Sequence, residues 1–148
     1  MTLFFLDLNL WLALSVPKHT QYFAAWTWLN SIARDSSLIF IRYTQLGFLR
    51  LLTHSSVMGE QTFTLGEAWR LYDQWLSDPR VEFYPEPSGL EAAIREATAP
   101  FNSKAASHWV GDCFLLANAK EIGAVLVTFD RALAAFARKQ GCAAIIPS

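Results

Sequence analysis

Apolar residues follow two rhythms along this chain, and the alternation between them predicts its architecture. Leu3–Asp7 (LFFLD) and Ala124–Phe129 (AVLVTF) are short, nearly continuous apolar runs, the pattern of strands buried on both faces. Leu38–Tyr43 (LIFIRY), Val81–Tyr84 and Cys142–Ile146 read the same way. Between these runs helical spacing takes over. The first strand leads into a helix that reaches Val16, and His19–Ala33 sets Tyr22, Phe23, Trp26, Leu29 and Ile32 along one side. Leu46, Leu49 and Leu52 recur in a helix that Thr44 can cap. Gly66–Leu76, Leu90–Ala97, His108–Ile122 and Arg131–Gln140 complete the helices, with Asp78-Pro79, Gly123 and Gly141 as stops. Strands separated by helices predict an α/β fold, a three-layer α/β/α sandwich on a central parallel sheet of four to five strands. No repeat, low-complexity tract or linker interrupts the pattern, so residues 1–148 read as one domain.

Composition narrows the class. With 53% hydrophobic and 17% charged residues, the chain has the apolar mass for a core and is not a disordered segment. Cys113 and Cys142 form neither a CxxC pair nor a zinc spacing and read as reduced thiols. The apolar run from Leu3 to Val16 is shorter than the roughly 20 residues of a membrane span. No Lys or Arg precedes it, unlike a secretory leader, so the expected location is the cytoplasm, without a membrane. The net charge of −1 is uneven: residues 1–59 and 97–148 each carry +2, and residues 60–96 carry −5. That leaves room for a weakly basic face and excludes the strong basic stripe of a tight, nonspecific nucleic-acid binder.

The acids carry the candidate chemistry. Eight of the thirteen lie within residues 60–96, where solvation accounts for them. Of the other five, Asp7, Asp112 and Asp130 are embedded in apolar runs. Asp7 and Asp130 end strands, at the edge of a parallel sheet where ligands bind. Asp112 lies within a turn of Trp109 and Leu116, beside the inward face of its helix. Carboxylates gathered there repel one another, and magnesium, or manganese in its place, relieves the repulsion. Plainer roles exist for each: helix caps for Asp7 and Asp130, a solvent-facing helix position for Asp112.

The segments LFFLDLNLWLAL, TQLGFLRLLT, SDPRVEFYPE and VGDCFLLANAKEIGAVLVTFDRAL, in that order, resemble a PIN-domain nuclease. More specifically they resemble the VapC toxins of bacterial VapBC toxin–antitoxin pairs. The resemblance implies magnesium-dependent hydrolysis of RNA phosphodiesters, a VapB-type antitoxin whose peptide enters the active-site groove, and homodimers. Asp7, Asp112 and Asp130 match the family's first, third and fourth acids, and Asn9 and Thr128 match polar residues found beside the first and fourth. The second acid, a Glu on the helix after the second strand, falls near Gly47. No Asp or Glu occurs between Ser36 and Gly59, so the resemblance implies a three-carboxylate variant, with Thr44 or Gln45 supporting water or substrate. Arg42, Arg50 and Arg131 are candidate phosphate contacts. His19, His54 and His108 are scattered and read as non-catalytic.

Two rivals remain. One is a PIN-like module that has lost catalysis and merely holds RNA or protein, which the missing Glu favours. The other is a phosphatase or receiver-type domain, disfavoured because Asp7-Leu8-Asn9 supplies one acid and no lysine follows a strand. The six Trp residues raise a separate expectation. Trp26 and Trp28 lie on different sides of one helix, and Trp69 and Trp75 pose the same question, so Trp28 is expected to anchor the antitoxin.

Overall fold

The computed structural model describes residues Met1–Ser148. Five strands, β1 (Leu3–Leu6), β2 (Ser37–Phe40), β3 (Val81–Phe83), β4 (Val125–Val127) and β5 (Ala144–Ile145), form one all-parallel sheet. Their order is β3-β2-β1-β4-β5. Eight helices cover it: α1 (Leu8–Ser15), α2 (Tyr22–Ser31), α3 (Arg42–Leu52), α4 (Ser55–Met58), α5 (Leu65–Ser77), α6 (Leu90–Thr98), α7 (Val110–Ile122) and α8 (Arg131–Lys139).

The period-2 geometry of strands divides the core between two faces. Phe4, Leu6, Leu38, Phe40, Val81 and Val127 pack with α1, α2, α3 and α5. Phe5, Ile39 and Leu126, the residues between them, pack with Ala97, Cys113, Leu116, Leu133 and Ala137 on α6, α7 and α8. Neither face is left open, which is why these strands read as unbroken apolar runs rather than alternating ones. No helix is long and apolar enough to cross a membrane.

The structure departs from the sequence pattern in several places. The run LIFIRY is not one strand: β2 ends at Phe40 and α3 begins at Arg42. Thr44 stands in the first turn of α3 rather than at its cap. Its Oγ1 accepts from the Ile41 N–H at 3.0 Å and can donate to the Ile41 carbonyl at 3.1 Å, which pulls the chain into the helix early. The helix expected over 19–33 covers only Tyr22–Ser31, because His19 Nδ1 accepts from the Gln21 N–H at 3.0 Å and holds a turn. Phe23 and Leu46, which the spacing groups with the apolar residues of their helices, are exposed. The short α4 was not expected, and β5 is only two residues long.

Trp28 corrects the interface expectation. It is 8% exposed and meets Phe4 edge-on with ring centroids 5.3 Å apart, so it belongs to the core. Trp26, on another side of α2, is also covered: its Nε1–H donates to the Leu14 carbonyl at 2.9 Å and its ring stacks on Trp75 at 6.0 Å. Trp75 in turn donates to Ser15 Oγ at 2.8 Å. Helix α2 therefore buries two sides, one against the sheet and one against α1 and α5. Trp28→Ala should destabilise the fold by about 3–5 kcal/mol through lost contacts and the cavity left behind. An unchanged urea midpoint would contradict that placement.

Candidate active site at the switch in strand order

From β1 the chain steps outward through β2 to β3 on one side, while β4 and β5 lie on the other. The gap in connection between β1 and β4 is the place where parallel sheets bind ligands at their carboxyl edge. Leu6 pairs with Val127 there, so the residues that follow each strand emerge side by side. Asp7 follows β1, Asp130 follows β4, and Asp112 approaches from the first turn of α7.

Asp7 is 8% exposed and held by three donors. Its Oδ1 accepts from the Leu8 N–H at 2.7 Å, and its Oδ2 accepts from Thr128 Oγ1 at 2.7 Å and Asn9 Nδ2 at 3.3 Å. Asn9 Oδ1 reaches across to accept from the Phe129 N–H at 3.3 Å. Thr128 Oγ1 also accepts from the Asp130 N–H at 3.0 Å, and Asp130 caps α8 by accepting from the Leu133 N–H at 3.1 Å. The plainer capping roles of Asp7 and Asp130 are thus real. Each cap uses one Oδ1; the second oxygen of Asp7 is held by Thr128 and Asn9, and that of Asp130 makes no hydrogen bond.

Burial raises the Asp7 pKa above the usual carboxylate range, against the lowering pull of Thr128 and Leu8, and Asp130 adds to the rise. Asp112 is pushed up to about 6, first by burial and then by the charges of Asp7 and Asp130, with His108 pulling the other way. The three carboxylates sense one another electrostatically but do not form a cluster able to hold a metal ion as they stand.

The fourth quarter of the site is apolar. Gly47 is buried on α3, and a Cβ there would lie 2.7 Å from Leu8 Cδ2. Leucine thus fills the space where the resemblance places a second acid. Neither polar neighbour replaces that acid: Thr44 is committed to Ile41, and buried Gln45 is bonded to Arg42 and Tyr72. The Arg42 guanidinium also lies 4.7 Å over the Phe83 ring. Arg50 and Arg131 are exposed.

One residue escaped the sequence reading. Tyr43 was absorbed into the expected strand, yet it projects from the first turn of α3. Its hydroxyl lies 2.8 Å from where a Gly111 Cβ would stand, one residue before Asp112. No local spacing gives a clue to this, because the contact joins α3 to α7.

The parallel sheet and its strand order define a PIN-like fold. No family model matches the sequence. Ribonuclease VapC41 of Mycobacterium tuberculosis is 40% identical over 130 residues, covering 85% of this chain and 88% of the relative. Ribonuclease VapC39 of the same species is 31% identical over 132 residues, covering 87% and 89%. A VapBC2 crystal structure from Rickettsia felis, bound to a promoter DNA fragment, superposes with a TM-score of 0.74 at 13% identity over 99% of this chain and 100% of that one. The chain belongs to the VapC family of toxin–antitoxin ribonucleases.

Because Asp112 holds its proton more tightly in the folded chain than in the unfolded one, its contribution to stability is present below about pH 4 and lost as pH rises through about 6. Without metal, the melting temperature should therefore fall across that window. Asp112→Asn should flatten the fall, and carboxyl NMR should give a midpoint near 6. A midpoint near 4 would mean that neither burial nor the neighbouring charges hold the proton on Asp112.

Proposed function

We propose that this protein is a cytoplasmic VapC toxin that hydrolyses RNA with magnesium held by Asp7, Asp112 and Asp130. The observation that supports this best is the convergence of three carboxylates from three separate elements on the β1/β4 switch, at a mutual electrostatic cost that a cation offsets. A divalent cation supplies charge neutralisation at the phosphate and lowers the pKa of water.

The chain's own residues do the rest. Thr128, Asn9 and the Leu8 N–H fix the Asp7 carboxylate, so its orientation does not depend on the cation. The Leu133 N–H fixes Asp130 in the same way. Asp112, without such anchors, is the ligand that adjusts. Arg50 and Arg131 attract the RNA backbone; Arg42 is tied to Phe83 and Gln45. A VapB-type antitoxin covers the same edge in the resting pair, a reading supported by the VapBC complexes that share the fold.

Chelation should abolish RNA cleavage, and magnesium or manganese should restore it. Asp7→Asn should lower the rate by more than the roughly 10–100-fold typical of outer-shell losses, with the melting temperature of the metal-free protein level or raised. Full activity in EDTA, or cyclic-phosphate ends, would overturn the metal reading. A folded protein without cleavage under any metal would favour the rival binding module, which the apolar quarter at Leu8 and Gly47 supports.

That quarter gives its own test. Gly47→Glu forces the Leu8 side chain aside and should cost about 1–3 kcal/mol. In a Leu8→Ala background the same change should cost clearly less, a coupling that a double-mutant cycle measures. Additive losses would show that Leu8 does not fill this space.

A further inference from the structure

A groove of about 410 Å³ runs beside the aspartates, and the proposed chemistry leaves it unused. Its volume falls within the roughly 300–1,000 Å³ of small-molecule sites. Two of its residues tie it to the acids. Leu8 gives its N–H to Asp7, and Tyr43 packs its hydroxyl on Gly111, next to Asp112. Gly47 and Leu51 add apolar lining.

The polar lining is cationic or neutral. Arg50 is exposed and enters no ion pair. His54 Nδ1 accepts from the Ser56 N–H at 3.2 Å, so the neutral ring carries its proton on Nε2 and presents a donor. No carboxylate lines the groove. Tyr43 is 46% exposed and is backed by Phe114, with ring centroids 5.1 Å apart. A steadied aromatic ring, an unpaired arginine and a free imidazole N–H, within reach of a phosphodiester-cleaving centre, match the needs of an unpaired nucleotide. Such bases stack on aromatic side chains while arginine takes the phosphate.

We propose that this groove is a nucleobase subsite seating the unpaired nucleotide beside the scissile phosphate, with Tyr43 as its stacking platform and Arg50 and His54 as its polar contacts. The proposal rests on the ribonuclease reading. Charge favours RNA over a peptide as the occupant, because the Arg50 cation, without a counter-charge in the groove, attracts phosphate. The exposed Val57 at the rim contributes apolar contact only.

The test compares wild type, Tyr43→Phe, Tyr43→Ala and Val57→Glu on total bacterial RNA with magnesium, sequencing the ends produced. Wild type and Tyr43→Phe should share a base preference at one position next to the cut, and Tyr43→Ala should lose it. On a short single-stranded oligonucleotide carrying the mapped site, Tyr43→Ala and Val57→Glu should raise KM about tenfold or more. An abasic residue at the preferred position should slow wild type and leave Tyr43→Ala indifferent. If wild type cuts but both variants keep its sites and KM, or if wild type ignores the abasic residue, the subsite does not exist. Normal cutting by both variants with lost inhibition by an antitoxin peptide would assign the groove to peptide and overturn the proposal. Absence of magnesium-dependent ends from wild type would instead sink the ribonuclease reading itself.

Discussion

Everything at the carboxyl edge of this sheet depends on keeping one carboxylate, Asp7, where water hardly reaches it. A buried charge is tolerated only if hydrogen bonds replace its hydration. Here one replacement is local, from the Leu8 N–H, and another crosses to the neighbouring strand at Thr128. The same Thr128 hydroxyl receives the Asp130 N–H, so one oxygen sets the relative position of two acids 123 residues apart in sequence. Asn9 closes the arrangement by bonding Asp7 on one side and the Phe129 N–H on the other. The pairing of β1 with β4 and the placing of the acids are therefore one structural event.

The third acid is treated differently. Asp112 rides on a helix whose inward face is made of Cys113, Leu116 and Ala119, so packing alone sets its depth. Its elevated pKa reflects that half-buried position and the two charges in front of it. Two of the carboxylates are thus anchored by hydrogen bonds and the third by packing alone.

Much of this was legible in the chain. Strands buried on both faces must be apolar throughout, so β1 and β4 announced themselves, and the acids that end them followed from the sheet's geometry. Asn9 and Thr128 were found by resemblance, and the structure supplies their physical reason as the hydrogen-bonded link across the switch. What could not be read was anything decided by particular side-chain contacts rather than by periodicity. The start of α3 turned on the Thr44 hydroxyl reaching Ile41, which periodicity does not encode. Trp28 looked superfluous to one face of α2, whereas the helix is wedged with two faces covered. The meeting of Tyr43 with Gly111 is invisible without the fold, because no local pattern joins those two segments.

Leu8 stands between two surfaces. Its N–H holds the Asp7 carboxylate, while its side chain borders Gly47 and lines the neighbouring groove. A single residue thus serves as a party wall, and a change of volume on the groove side presses on the same backbone that anchors the acid.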